Sequence, residues 1–137
     1  MGAASFVVMT SQPRRQEHAM RYALLIYTDD ASVPSDPESQ QQSYADYAEF
    51  TKNLTESGRN LGGEALLGVE TATTVRVRDG ETVTTDGPFA ETKETLGGFY
   101  LIEAGDLDEA IAVAADLPGS KYGSVEIRPL WEWADES

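Results

Sequence analysis

Apolar positions change their spacing several times along the chain, and each change marks a new element. Residues 22–27 (Tyr-Ala-Leu-Leu-Ile-Tyr) form an unbroken apolar run of strand length, the pattern of a central strand covered on both faces or nearly so. Asp29, Asp30, Pro34, Ser35, Asp36 and Pro37 then force a loop, because each proline fixes φ and removes a backbone donor. From Glu38 to Gly58 the spacing becomes helical. Tyr44, Tyr47, Ala48, Thr51, Leu54 and Thr55 fall on one stripe at steps of three and four, Phe50 widens it, and Gly58 suits a left-handed cap.

Residues 62–67 read as a turn into a short strand. Thr73 to Arg78 alternates, with Thr73, Val75 and Val77 predicted inward and Thr74, Arg76 and Arg78 outward. Asp79-Gly80 follows, then a second β-rich run from Glu81 to Thr85 with Val83 inward, so the Asp-Gly pair predicts a hairpin. Asp86 to Thr95 is a turn-rich connection with room for one helical turn, and residues 97–103 return to strand. Asp106 with Glu109 three residues later has the form of a capping box opening a second helix. Leu107, Ala110, Ile111, Ala114 and Leu117 supply its predicted buried stripe, and Pro118-Gly119 ends it. Ser124 to Leu130 is the last strand, with Val125 and Ile127 on one face.

Two helices separated by strands predict an α+β fold, a ferredoxin-like α-β sandwich with an added β-hairpin and both helices on one sheet face. The predicted domain spans residues 20–131. Residues 1–19 read as a flexible leader or a mis-assigned start, with Met20 as the start, and residues 132–137 as an acidic tail. Apolar residues on both faces of the central strands point to a homodimer packed sheet to sheet.

Composition narrows the functional classes. The chain has 137 residues, the size of one domain, and 24 acidic against 10 basic side chains give a formal charge of -14. That field disfavours nucleic-acid phosphate and anionic lipid, so direct nucleic-acid or membrane binding is not expected. There is no cysteine, and the single histidine, His18, lies in the leader. Thiolate and imidazole chemistry are therefore absent from the predicted domain, and neither a metal nor a cofactor is expected. With no signal-peptide pattern and no run approaching the about 20 apolar residues of a membrane span, the expected location is cytoplasmic.

The candidate chemistry clusters around the connection after the hairpin. Asp86, where a strand enters a Gly87-Pro88 turn, is the candidate catalytic carboxylate, with Lys93 as its assistant. The alternative is that Asp86 caps its own turn, or that Pro88 and Phe89 staple the hairpin to the core. Tyr27, Tyr44, Arg76, Phe89, Glu91 and Tyr100 are the candidate ligand-binding residues, through aromatic faces, hydroxyl groups and charge. Gly87, Pro88, Gly97 and Gly98 are the motif's structural positions. The Gly97-Gly98 pair precedes a strand, which fits a β-bulge, or a close approach of the backbone to a ligand or to the loop above it, and not a phosphate loop.

The segments MRYALLIY at 20–27, GGEAL at 62–66, TATTVR at 71–76, DGPFAETKETLGGFYLIE at 86–103, DLDEA at 106–110 and GSVEIRPL at 123–130 together resemble the YCII-related domain family, specifically its DGPF subgroup. The resemblance implies a dimeric α+β barrel type of sandwich. Within that family, enzyme activity is associated with a His and an Asp in a pocket. Asp86 matches the acidic member, whereas no histidine stands in residues 20–137. Two readings follow from it. One is a small-molecule-binding domain, with weak lyase, isomerase or dehydrochlorinase-like proton abstraction by Asp86 as its catalytic form. The other is a non-enzymatic regulatory protein with a protein partner, linked to an extracytoplasmic-function sigma factor pathway.

Overall fold

The computed structural model describes residues 19–132, so the expectations for residues 1–18 and 133–137 fall outside the described residues. The elements in order are strand β1 (Met20–Thr28), helix α1 (Pro37–Glu56), β2 (Asn60–Ala65), β3 (Thr73–Arg78), β4 (Glu81–Asp86), β5 (Thr95–Ala104), α2 (Leu107–Ala115) and β6 (Gly123–Pro129). Short 3₁₀ turns lie at Asp30–Ser32, Val69–Thr71 and Pro118–Lys121. The connection from Asp86 to Thr95, which had room for one helical turn, contains none.

Four strands form one antiparallel sheet in the order β2-β5-β1-β6, and β3 and β4 form a separate two-stranded sheet. The order of the four main strands and the two helices is ferredoxin-like. The expected dimeric α+β barrel type is not found, because β2 and β6 are open edges and no strand among the described residues joins them. One chain supplies four strands to this sheet, and a barrel with a filled interior needs about eight. The hairpin does not extend the sheet either.

The core lies between the sheet and the helices. Tyr22, Leu24 and Ile26 of β1 and Ile102 and Ala104 of β5 pack against Phe50 and Leu54 of α1 and against Ala110, Ala114 and Leu117. Strand alternation sends the neighbours to the opposite face. There, one row crosses the sheet from Glu64 through Phe99 and Leu25 to Glu126, and the next runs from Gly62 through Leu101 and Ala23 to Arg128. Leu25, Phe99 and Leu101 are half-buried on this uncovered side.

Helix ends follow local chemistry. Asp36 caps α1 through a hydrogen bond from the Ser39 N–H at 2.9 Å, with Pro37 at the first helical position. At the other end Gly58 adopts φ +80°, and the Gly58 and Arg59 N–H groups return to the Thr55 and Leu54 carbonyls, a Schellman motif. The buried stripes run along the predicted ones but are narrower, with Leu54, Ala110, Ala114 and Leu117 buried as expected. Phe50 and Leu54 are buried in α1 while Tyr44 is 77% exposed, and in α2 Leu107 and Ile111 are exposed while Ala110 and Ala114 are buried. Side chains that fall at the margin of a 3.6-residue stripe are assigned by the helix's rotation on the sheet, which periodicity alone leaves free.

Candidate functional site

The segment between β4 and β5 carries most of the residues expected to work. Asp86 ends β4, and Gly87 turns the chain at φ +102°. Backbone bonds hold this turn: the Gly87 N–H donates to the Ala72 carbonyl at 2.7 Å, and the Thr74 hydroxyl donates to the Gly87 carbonyl at 2.8 Å. Neither bond uses the Asp86 carboxylate, which is exposed and, like the Lys93 ammonium, has no hydrogen bond or ion pair among the described residues. The cap expected as an alternative role for Asp86 is absent. Phe89 is 79% exposed, so it does not staple the hairpin to the core, and Glu91 is exposed beside it.

The far end of the connection is anchored. The Thr92 hydroxyl donates to the Glu94 carbonyl at 2.6 Å, and the Ser124 hydroxyl donates to Glu94 Oε1 at 2.9 Å. Ser124 pairs across the sheet with Tyr27, which also pairs with Leu96. Tyr27 is therefore the predicted ligand residue that lies beside the anchored end of the connection. Ser124 was missed in the sequence, since nothing in the spacing of residues thirty positions apart indicates their contact.

Other predicted residues are scattered. Tyr100 points to the helix side, where its hydroxyl lies 2.7 Å from Thr51 Oγ1 and its ring meets Phe50 edge-on at 5.1 Å. It serves the core. Nearby, burial pushes the Tyr47 hydroxyl above its ordinary range despite a hydrogen bond with the Gly119 backbone. Tyr44 stands on the exposed side of α1.

Arg76 sits on the hairpin, directly opposite Val83, while Val75 and Val77 share the other face with Asp86. The expectation that Val75, Val77 and Val83 all point inward is corrected on both counts, since Val83 faces the other way and all three are exposed. The turn itself is as expected, with Asp79 at φ +54° and Gly80 at +79°, the two positive values of a type I′ turn.

The Gly97-Gly98 pair has two roles. The β1–β5 register shifts there, pairing Ile26 with Gly98 and Tyr27 with Leu96, so Gly97 is the extra residue of a bulge. Gly98 lies so close to β2 that an added Cβ would come within 2.9 Å of the Glu64 carbonyl oxygen.

A groove of about 500 Å³ opens elsewhere, between α1 and the segment from the end of α2 to Tyr122. None of the residues predicted for a site lines it. Among the described residues no cluster of three or more potential metal-ligating side chains occurs, and no helix is long and apolar enough to cross a membrane.

The family model of the YCII-related domain matches residues 20–134. The chain belongs to the YCII-related domain family. It is also similar to an uncharacterized protein of Rhizobium meliloti (strain 1021), with 42% identity over 115 residues that cover 81% of this chain and 92% of that protein. The match to the YCII-related domain begins at Met20, the first residue of β1, and includes the whole 86–95 connection. His18 stands before the matched residues, so this YCII-related domain carries its polar chemistry on carboxylates, lysine, arginine and hydroxyl groups.

Proposed function

We propose that the chain is a cytoplasmic small-molecule-binding protein of the DGPF subgroup of the YCII-related family, with its ligand held at the 86–95 connection and the pocket completed by a second copy. One observation carries the reading: Asp86, Phe89 and Lys93 project from a single connection, and the fold uses none of them. A carboxylate, an ammonium and an aromatic ring together suit an organic molecule with polar groups on an apolar body. Ligand sites are concave, whereas this connection is exposed on one chain, which is the reason to invoke the second copy. The uncovered sheet face, with Leu25, Phe99 and Leu101 beside Tyr27, supplies an apolar surface for it. In the catalytic form of the same reading, Asp86 takes a proton from the ligand and Lys93 holds the resulting anion.

Native mass spectrometry of the purified full chain tests this directly. The expected spectrum shows a dimer carrying a small organic adduct, and Asp86→Asn and Phe89→Ala lose the adduct while keeping the wild-type far-UV circular dichroism spectrum. A bare monomer, or an adduct that survives both substitutions, removes the 86–95 connection from consideration as the ligand site.

A further inference from the structure

The groove between the helices lies in the layer opposite the uncovered sheet face, and none of residues 86–95 lines it. Its floor is apolar, made by Phe50 and Leu54 of the core with half-buried Val113. Asp46 and Glu49 from α1 and Asp116, the residue that caps the end of α2, supply exposed carboxylates to its walls. Arg59 also lines it, but its guanidinium is held at 3.2 Å by Glu109, so its charge is already matched. Lys121 is the remaining base among the lining residues.

The surrounding helices have the same sign. Glu38, Asp46, Glu49 and Glu56 outnumber Lys52 on α1, and α2 carries Asp108 and Glu109 without a base. An apolar floor between acidic walls attracts a partner that is apolar on one side and positive along its margins. A small ligand would remain largely wet in a groove with exposed walls, whereas an amphipathic polypeptide segment offers an apolar side and flanking charges together.

We infer that this groove is a docking site for a basic amphipathic segment of a partner protein. The segment's apolar side chains rest on Phe50, Leu54 and Val113, and its lysines or arginines meet Asp46, Glu49 and Asp116. Attraction between the negative helix layer and such a segment speeds encounter, and the apolar floor sets its register.

The test is a fluorescence titration of the full chain with a labelled amphipathic helical peptide built from leucine and lysine, beside the same peptide with glutamate in place of lysine. The lysine peptide is expected to bind saturably and the glutamate peptide not at all, with amide shifts concentrated at residues lining the groove. Glu49→Lys is expected to weaken binding about tenfold, whereas Glu38→Lys, the same change of charge outside the groove, shifts it by less than about twofold. Asp46→Lys provides a second groove variant, and far-UV circular dichroism checks that each variant keeps its helices. The inference is overturned by absence of saturable binding, by equal weakening in Glu38→Lys and the groove variants, or by amide shifts that map to the hairpin or the sheet face.

Discussion

At the residue scale, the positions that the fold depends on are those whose geometry leaves no alternative. Gly123 is one: a Cβ there would overlap the Tyr27 carbonyl oxygen across the β1–β6 pair. Gly123→Ala is expected to destabilise the domain by about 1–3 kcal/mol, read as a lower urea midpoint with an unchanged m-value. The helix-end carboxylates act differently. Glu109 is held below its ordinary 4.5, first by the Gly105 N–H that it accepts and then by Arg59; Asp36 is held below 3.8 by the Ser39 N–H. Because the folded values are depressed, their stabilisation is fully present above the ordinary values and disappears as pH falls through the folded ones. Melting temperature followed from neutral pH into this acid range should therefore fall less steeply in Glu109→Gln than in wild type. An identical acid profile would mean that the Gly105 and Arg59 contacts are not made in solution.

At the element scale, the six strands and two helices were largely legible, because each has its own periodicity and end signals. Asp106-x-x-Glu109 announced α2, and the Glu109 N–H does donate to Asp106 Oδ1 at 2.9 Å. Asp79-Gly80 announced the hairpin turn for the same local reason. What alternation could not supply was which side, if any, the hairpin buries. Val75 and Val77 are each 59% exposed, so Val75→Thr is expected to change stability by no more than about 0.5 kcal/mol. The same residues should exchange their amides early, since an isolated two-stranded ribbon is marginal. A loss of more than about 1 kcal/mol in Val75→Thr would show that the hairpin is covered in solution.

At the scale of the whole molecule, the sheet has one face against the helices and one face open, and the open face is apolar at its centre. Placing a carboxylate there separates folding from assembly. Phe99→Asp is expected to leave a folded chain that sediments as a monomer, where wild type sediments as the proposed dimer. Should wild type itself sediment as a monomer at about 100 μM, the second copy drops out of the proposed pocket. The candidate site was legible in the sequence as a segment, since Asp86, Phe89, Glu91 and Lys93 lie within eight positions of one another and are all exposed. Its wider set was not. Tyr100 and Tyr44 differ by burial and not by type, and the contact between Ser124 and Glu94 exists only because β6 returns beside β1.

By itself, the amino-acid order determined the elements, their ends, the hairpin turn and the bulge at Gly97, since these are set by neighbours within a few positions in the chain. Tertiary structure alone decided the open sheet in place of a barrel, which residues at the margins of the two helical stripes are covered, the exposure of the hairpin and the groove between α1 and the end of α2. Each of those depends on which distant surfaces meet, and hydrophobic burial is non-directional: it demands that apolar faces be covered without saying by what.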